Sequence, residues 1–222
     1  MNELLAWVLI APAAYLIGSI PVGLIVCRTW GGVDPRQHGS GSMGATNVLR
    51  TAGKKAAVLV FVLDFGKGAA MIGLSTLLAP ESNLLHALTG TFVIIGHTWP
   101  VFAGFKGGKG ISTGWGAILV LSPIAATVTL VGLIVALITR YVSLGSMIGA
   151  SLGVGMLIVL SIVNVPFAVA NAPIEYLAFA VPAVVLILYS HRENMMRLQK
   201  GTENRLDINA AESSSASGGQ GA

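Results

Sequence analysis

Three polar segments of the chain carry side chains suited to holding phosphate. The first reads HGSGSMGATNVLRTAGK, from His38 to Lys54, and packs Gly39, Gly41 and Gly44 among Ser40, Ser42, Thr46, Asn47 and Arg50. Glycines let backbone N–H groups approach an oxyanion, and the hydroxyls and the arginine add donors and charge. The second, GFKGGKGIST from Gly104 to Thr113, sets Lys106 and Lys109 among Gly104, Gly107, Gly108 and Gly110. It opens a helix at Ile111, whose free first-turn amides and dipole favour an anion. It is not a nucleotide-binding Walker loop, because Ala103 stands where the opening glycine belongs and Gly110 where the Mg²⁺-binding Ser or Thr belongs. The third, HRENMMRLQKGTE from His191 to Glu203, places His191 and Asn194 one helical turn apart and Glu193 four residues before Arg197. His191 is the one side chain of this third segment whose ordinary pKa suits proton transfer near neutrality.

These segments must be positioned by elements of a membrane protein. Of 222 residues, 54% are apolar and 10% charged, and the mean hydropathy is +0.80. That is too little charge to coat a soluble domain of this size. The single Cys27 excludes a disulfide scaffold and a thiolate metal site. The pI near 9.5 fits basic loops kept on the cytoplasmic side, and no nucleic-acid partner is expected. No cofactor is expected, and the polar loops hold no carboxylate cluster suited to Mg²⁺.

Apolar stretches run from Leu4 to Cys27, Ala56 to Ala79, Leu84 to Phe105, Ile111 to Thr139, Leu144 to Val163 and Ile174 to Ser190. A spanning helix needs about 20 residues. Lys and Arg fall in Arg28 to Lys55, at Lys106 and Lys109, at Arg140, and in Arg192 to Arg205, which predicts those segments to be cytoplasmic. Three simple helices between Lys109 and His191 would put the two on opposite sides. The long Ile111–Thr139 stretch is therefore expected to turn back at Ser122 and Pro123, returning Arg140, Tyr141 and Ser143 to the cytoplasmic face. The expectation is an all-α polytopic membrane protein of seven transmembrane helices, N-terminus outside and C-terminus cytoplasmic. One transmembrane domain covers 1–206, and 207–222, rich in Ser, Gly and Ala, forms a disordered tail. Asp64 and Lys67, three apart in the second span, are expected to neutralise each other as a structural pair, with a site-lining role left open.

GSGSMGATNVLR, KGGKG and HRENMMRLQKGTE, in this order and spacing, resemble the three signature motifs of the bacterial acyl-phosphate:glycerol-3-phosphate acyltransferase family, and the likeness runs from Gly18 to Glu203. The family usually carries Asn where this chain has Ser42. The resemblance implies an integral enzyme of the bacterial inner membrane with a cytoplasmic active site. It would move a fatty acyl group from acyl phosphate to the 1-hydroxyl of glycerol 3-phosphate, the first step of phospholipid synthesis. It further implies that Ser40 and Arg50, with Thr46 and Asn47 nearby, serve catalysis and phosphate binding. Lys109, Gly107 and Gly108 would hold glycerol 3-phosphate, His191 and Asn194 complete the site, and Ser143 and Glu203 line or brace it. Arg50, Lys106 and Lys109 would supply the positive field for two anionic substrates, with the acyl chain resting among lipid-facing helices.

A small transporter or flippase for phosphorylated metabolites or lipids is the main rival, since cationic loops and broken helices also mark such pathways. The three motifs, however, are mutually unlike and show no internal repeat. An acyl-CoA enzyme with the H-x-x-x-x-D signature is disfavoured, because the residues five after His38, His86, His97 and His191 are Met43, Thr91, Phe102 and Met196.

Overall fold

Proline and glycine, more than hydropathy, set where the helices of this chain stop. The computed structural model describes residues 3–163 and 171–206, and among them there are ten α-helices and no strand. The tail expected at 207–222 lies outside the described residues. The first apolar stretch is not one helix as expected but two, α1 (Glu3–Gly18) and α2 (Val22–Gly31), broken at Pro21, which has no N–H to give. The carbonyls of Gly18 and Ile20 at this break accept hydrogen bonds from Lys67 Nζ at 3.0 and 3.2 Å.

The first phosphate-suited segment is also more helical than its composition suggests. Helix α3 (Ala45–Leu78) begins inside it, and Gly53, at φ 83°, kinks the helix in a conformation that other residues avoid. Thr46, Asn47 and Arg50 thus sit on a short helical piece set off from the long apolar part of α3. Helix α4 (Asn83–Thr98) leads through a turn at Val101–Ala103 into the glycine–lysine loop and then α5 (Ile111–Leu121).

The break expected at Ser122 and Pro123 is present. Ser122 accepts the N–H of Ala125 at 3.3 Å, and Pro123 opens α6 (Pro123–Val128), followed by α7 (Val131–Thr139). The indole N–H of Trp115 donates to the Ala126 carbonyl at 3.1 Å, although residues 11 apart on one straight helix would stand roughly 16 Å apart along its axis. The chain therefore turns back here. Both ends of the hairpin reach the same end of the molecule: Lys109 bonds Asn194 at one, and the Leu206 N–H meets the Arg140 carbonyl at 2.7 Å at the other.

Helices α8 (Val142–Ile162), α9 (Leu177–Ser190) and α10 (Arg192–Gln199) complete the bundle. By length and hydropathy, Leu4–Gly31, Ala45–Leu78, Asn83–Ala103 and Val142–Ile162 are each able to cross a membrane. Ile174–Ser190 joins them if it is taken together with Arg192–Gln199, across a 50° bend. The hairpin helices are shorter. Helix α5, about 16 Å long, falls well short of a hydrocarbon core of about 30 Å. Its place against α3 rests on bare backbone contact: a Cβ on Gly116 would fall 2.0 Å from the Phe65 carbonyl oxygen. Outward faces are apolar, with Leu77 81% and Ile138 78% exposed, as suits a lipid surround.

Candidate active site

The first loop is wound around the side chain of Asn47, which is 1% exposed. Its amide N–H groups face the carbonyls of Pro35, His38 and Ser42 at 2.7, 3.0 and 2.8 Å, and its Oδ1 accepts the Ser40 N–H at 2.9 Å. That amide is fully occupied, so Asn47 shapes the loop from within. Gly39 and Gly41 take positive φ in the wrap. Ser42, at the position where asparagine is usual, accepts the Gly44 N–H at 3.2 Å and so turns the chain into α3. Arg36 grips Asp34 at 2.6 Å and donates to the Ala103 carbonyl at 3.1 Å, which ties this loop to the next. The bonds from Arg36 hold the Asp34 carboxyl well below the usual carboxylate range.

The second loop differs from expectation in how its glycines are used. The N–H groups of Gly107 and Gly108 are spent on the carbonyls of Thr98 and His97, each at 3.1 Å. A Cβ on Gly108 would lie 2.1 Å from His97 Nε2. Glycine is required at Gly108 by close packing against His97, and the N–H groups of Gly107 and Gly108 do not form a phosphate cradle. The open amides come one step later: Gly110, at φ 79°, has no side-chain cap, and Gly110, Ile111 and Ser112 at the start of α5 face the cavity. Lys106 is exposed and lines neither cavity described below, so it is not brought into the site. Lys109 is. Its ammonium donates to Asn194 Oδ1, and burial, with the charge of Arg197, lowers its pKa to about 8.

The third segment is a relay. Asn194, 4% exposed, takes the Lys109 bond on Oδ1 and donates from Nδ2 to Glu203 Oε1 at 2.7 Å. The same oxygen accepts from Ser143 Oγ at 2.8 Å, and Oε2 accepts from Arg197 Nε at 2.8 Å. Burial alone would raise the Glu203 carboxyl, but the three bonds outweigh it and hold it below the ordinary value. The expected Glu193–Arg197 pair is present but loose, at 3.8 Å, because Arg197 turns mainly to Glu203. His191, 2% exposed and just beyond α9, has Nδ1 3.0 Å from the Ile187 carbonyl. Burial and then the Lys109 charge bring its pKa down to about 4. It is therefore neutral at pH 7, with the proton on Nδ1 and a lone pair on Nε2.

Ser40, Thr46, Asn47, Arg50, Lys109, Ser143, His191 and Asn194 line one cavity of about 530 Å³. Its other end is apolar and lies among Trp115 and Ile118 of α5, Leu133 of α7, Val154 of α8 and Phe179 of α9. A second cavity of about 190 Å³ includes Gly107 and Gly108 together with Thr98, Ser190 and Arg192. Ser40, Ser42 and Lys109 line both cavities, so the two meet at these side chains. Asp64 and His97 also line the larger cavity. A buried charge three residues from Lys67 marked the first, and nothing in the sequence marked the second.

The sequence matches the family described as glycerol-3-phosphate acyltransferase over residues 8–201. The chain belongs to that family. A glycerol-3-phosphate acyltransferase of Alkaliphilus metalliredigens is 40% identical over 199 residues, 89% of this chain and 95% of that one. One of Desulforamulus reducens is 42% identical over 201 residues, covering 90% and 94%. Among solved structures, the glycerol 3-phosphate form of PlsY (YgiH), an integral membrane glycerol 3-phosphate acyltransferase, superposes with a TM-score of 0.82 at 39% identity, over 90% of this chain and 96% of that one. The family resemblance of the three motifs is thereby confirmed, and with it the acyltransferase function of a membrane enzyme in phospholipid synthesis.

Because kcat/KM reports the free enzyme, a role for the Lys109 charge in holding phosphate is open to measurement. Its charge is present below about pH 8 and lost above it. The phosphate of glycerol 3-phosphate is already ionised there, with a second pKa of about 6. Initial rates should show kcat/KM for glycerol 3-phosphate falling above about pH 8. Lys109→Arg, which keeps its charge, should remove that fall.

Proposed function

We propose that the enzyme transfers a fatty acyl group from acyl phosphate to the 1-hydroxyl of glycerol 3-phosphate, releasing lysophosphatidic acid and inorganic phosphate, at a site on the cytoplasmic side of the bacterial inner membrane. The observation that carries this reading is the joined pair of cavities, apolar at one end and cationic where they meet. The acyl chain lies among α5, α7, α8 and α9, with its phosphate toward Arg50, Lys109 and the amides opening α5. Glycerol 3-phosphate enters through the smaller cavity and shares Lys109, with Arg192 near its mouth. The PlsY structures are of a glycerol 3-phosphate form and a lysophosphatidic acid form, which fit a substrate and the product of this transfer.

An acyl phosphate is already activated, so the protein has to hold two anions together, aim a hydroxyl and stabilise the oxyanion. The hydroxyl oxygen attacks the acyl carbon, the bond from that carbon to the phosphate oxygen breaks, and phosphate departs. Ser40, where the cavities join, donates to the developing oxyanion. His191 Nε2 accepts the hydroxyl hydrogen bond and orients it. Its burial and the neighbouring Lys109 charge disfavour a second proton on the ring, and the hydroxyl proton ends on the departing phosphate.

The hairpin supports seven crossings, with α1 and α2 forming one span and α5 and α6–α7 filling two, and the basic segments cytoplasmic. In a Cys27→Ser background, Glu81→Cys and Glu175→Cys, both exposed, should react with an impermeant thiol reagent from outside, whereas Lys106→Cys and Thr202→Cys should stay protected. Labelling of Thr202→Cys from outside would overturn this orientation.

The donor is tested with purified enzyme, glycerol 3-phosphate and either palmitoyl phosphate or palmitoyl-CoA, with and without EDTA. Turnover should require the acyl phosphate, release one phosphate per lysophosphatidic acid and survive EDTA, since among the described residues no three His, Cys, Asp or Glu side chains gather as a metal site. Robust activity with the thioester, or full loss in EDTA, would refute the donor assignment.

A further inference from the structure

A buried charged group that the transfer chemistry leaves unused lies directly behind the glycine–lysine loop. Asp64 and Lys67 of α3 form the pair expected between them, at 2.9 Å, with side chains 2% and 7% exposed. The same Asp64 Oδ1 faces His97 Nδ1 of α4 at 3.4 Å. Asp64 and Lys67 would balance without a third member, and Lys67 is further held by the Gly18 and Ile20 carbonyls. The histidine therefore needs a separate reason.

Its other contacts supply one. A carboxylate only accepts, so Nδ1 carries the proton toward Asp64, and Nε2 is turned to the opposite edge of the ring. That edge lies against Gly108, where an added methyl would stand 2.1 Å from Nε2 and 2.8 Å from Cε1. The His97 carbonyl accepts the Gly108 N–H at 3.1 Å, and Thr98 does the same for Gly107. The stretch just before Lys109 is thus held by the carbonyls of His97 and Thr98 and by the His97 ring edge, and that ring faces a carboxylate on a different helix.

We infer that His97, oriented by Asp64, is a positioning residue that fixes the height of the 107–110 loop and so places Lys109 for the phosphate of glycerol 3-phosphate. This rests on the reading that the loop serves glycerol 3-phosphate. Buried networks of this kind hold a functional group in place to a fraction of an ångström, and a displacement of about 1 Å can cost about a hundredfold in rate.

The test uses full-length enzyme and reads KM for each substrate, kcat and the melting temperature. Asp64→Asn keeps the shape but removes the carboxylate. His97→Asn keeps a donor toward Asp64 while withdrawing the ring edge from Gly108. Both should raise KM for glycerol 3-phosphate about tenfold and KM for acyl phosphate less, because Arg50 and the amides opening α5 also hold the donor phosphate, a split that general loss of packing would not produce. Gly108→Ala should raise the same KM, and adding His97→Asn should recover part of the loss, because the shorter side chain vacates the space the methyl needs. KM for glycerol 3-phosphate unchanged in folded Asp64→Asn and His97→Asn would overturn the inference. Should Asp64→Asn fail to fold, strictly multiplicative effects of Gly108→Ala and His97→Asn would overturn it; should His97→Asn fail to fold, an unchanged KM for glycerol 3-phosphate in Gly108→Ala would. Lys109→Gln separates the two levels. If it leaves KM for glycerol 3-phosphate unchanged, the loop's role falls and the inference with it; if it raises KM while the His97 and Asp64 variants do not, only the positioning role falls.

Discussion

The site depends on one buried carboxylate. Glu203 gathers Ser143 from the start of α8, Asn194 from α10 and Arg197, and through Asn194 it reaches Lys109 at the start of α5. A charge 8% exposed is costly unless it is paired and fully bonded, and here every oxygen has a donor. Satisfying that carboxylate brings together segments 60 and more residues apart in sequence. The positive charges of Arg50 and Lys109 can then stay close without an anion present, because Glu203 offsets them. They remain able to take phosphate when it arrives.

A gradient from polar to apolar along the larger cavity links this network to acyl transfer. At one end the lining is the hydroxyl residues Ser40, Thr46 and Ser143, with Lys109 and the residues that open α5. At the other, the lining is Trp115, Ile118, Val154 and Phe179, which have nothing to offer but apolar surface. A lipid-like donor with a phosphate head fits both ends at once, and the polar second cavity leaves room for a small phosphorylated acceptor. The backbone contacts that let α5 press onto α3 keep the helix opening, and hence its amides, at the junction.

The signals that the sequence carried locally were the legible ones. Proline after serine marked the break at Pro123, and a lysine three residues from an aspartate in a hydrophobic run marked the Asp64–Lys67 pair. Eight of the expected site residues meet in one cavity, because loops rich in glycine and hydroxyls at one face have few other uses. What the sequence did not show depends on tertiary partners. Nothing local says that Lys106 points away while Lys109 points in, since each is a lysine followed by glycine in the same short loop. The amide of Asn47 is consumed by carbonyls up to twelve residues back, and Gly107 and Gly108 give their N–H groups to the end of α4. Nothing local marked His97, because its partner Asp64 is on another helix. Pro21 was the one local signal passed over: its break in the first span was hidden by unbroken hydropathy on both sides.

The central claim is that one cavity holds the acyl chain at its apolar end and the donor phosphate at Lys109 and Arg50. A structure of the enzyme with a non-hydrolysable acyl phosphonate tests it most directly. The account predicts the chain among α5, α7, α8 and α9, and the phosphonate within hydrogen-bonding distance of Lys109 Nζ and the amides that open α5. A phosphonate held elsewhere, with Lys109 and Arg50 free of it, would contradict the account.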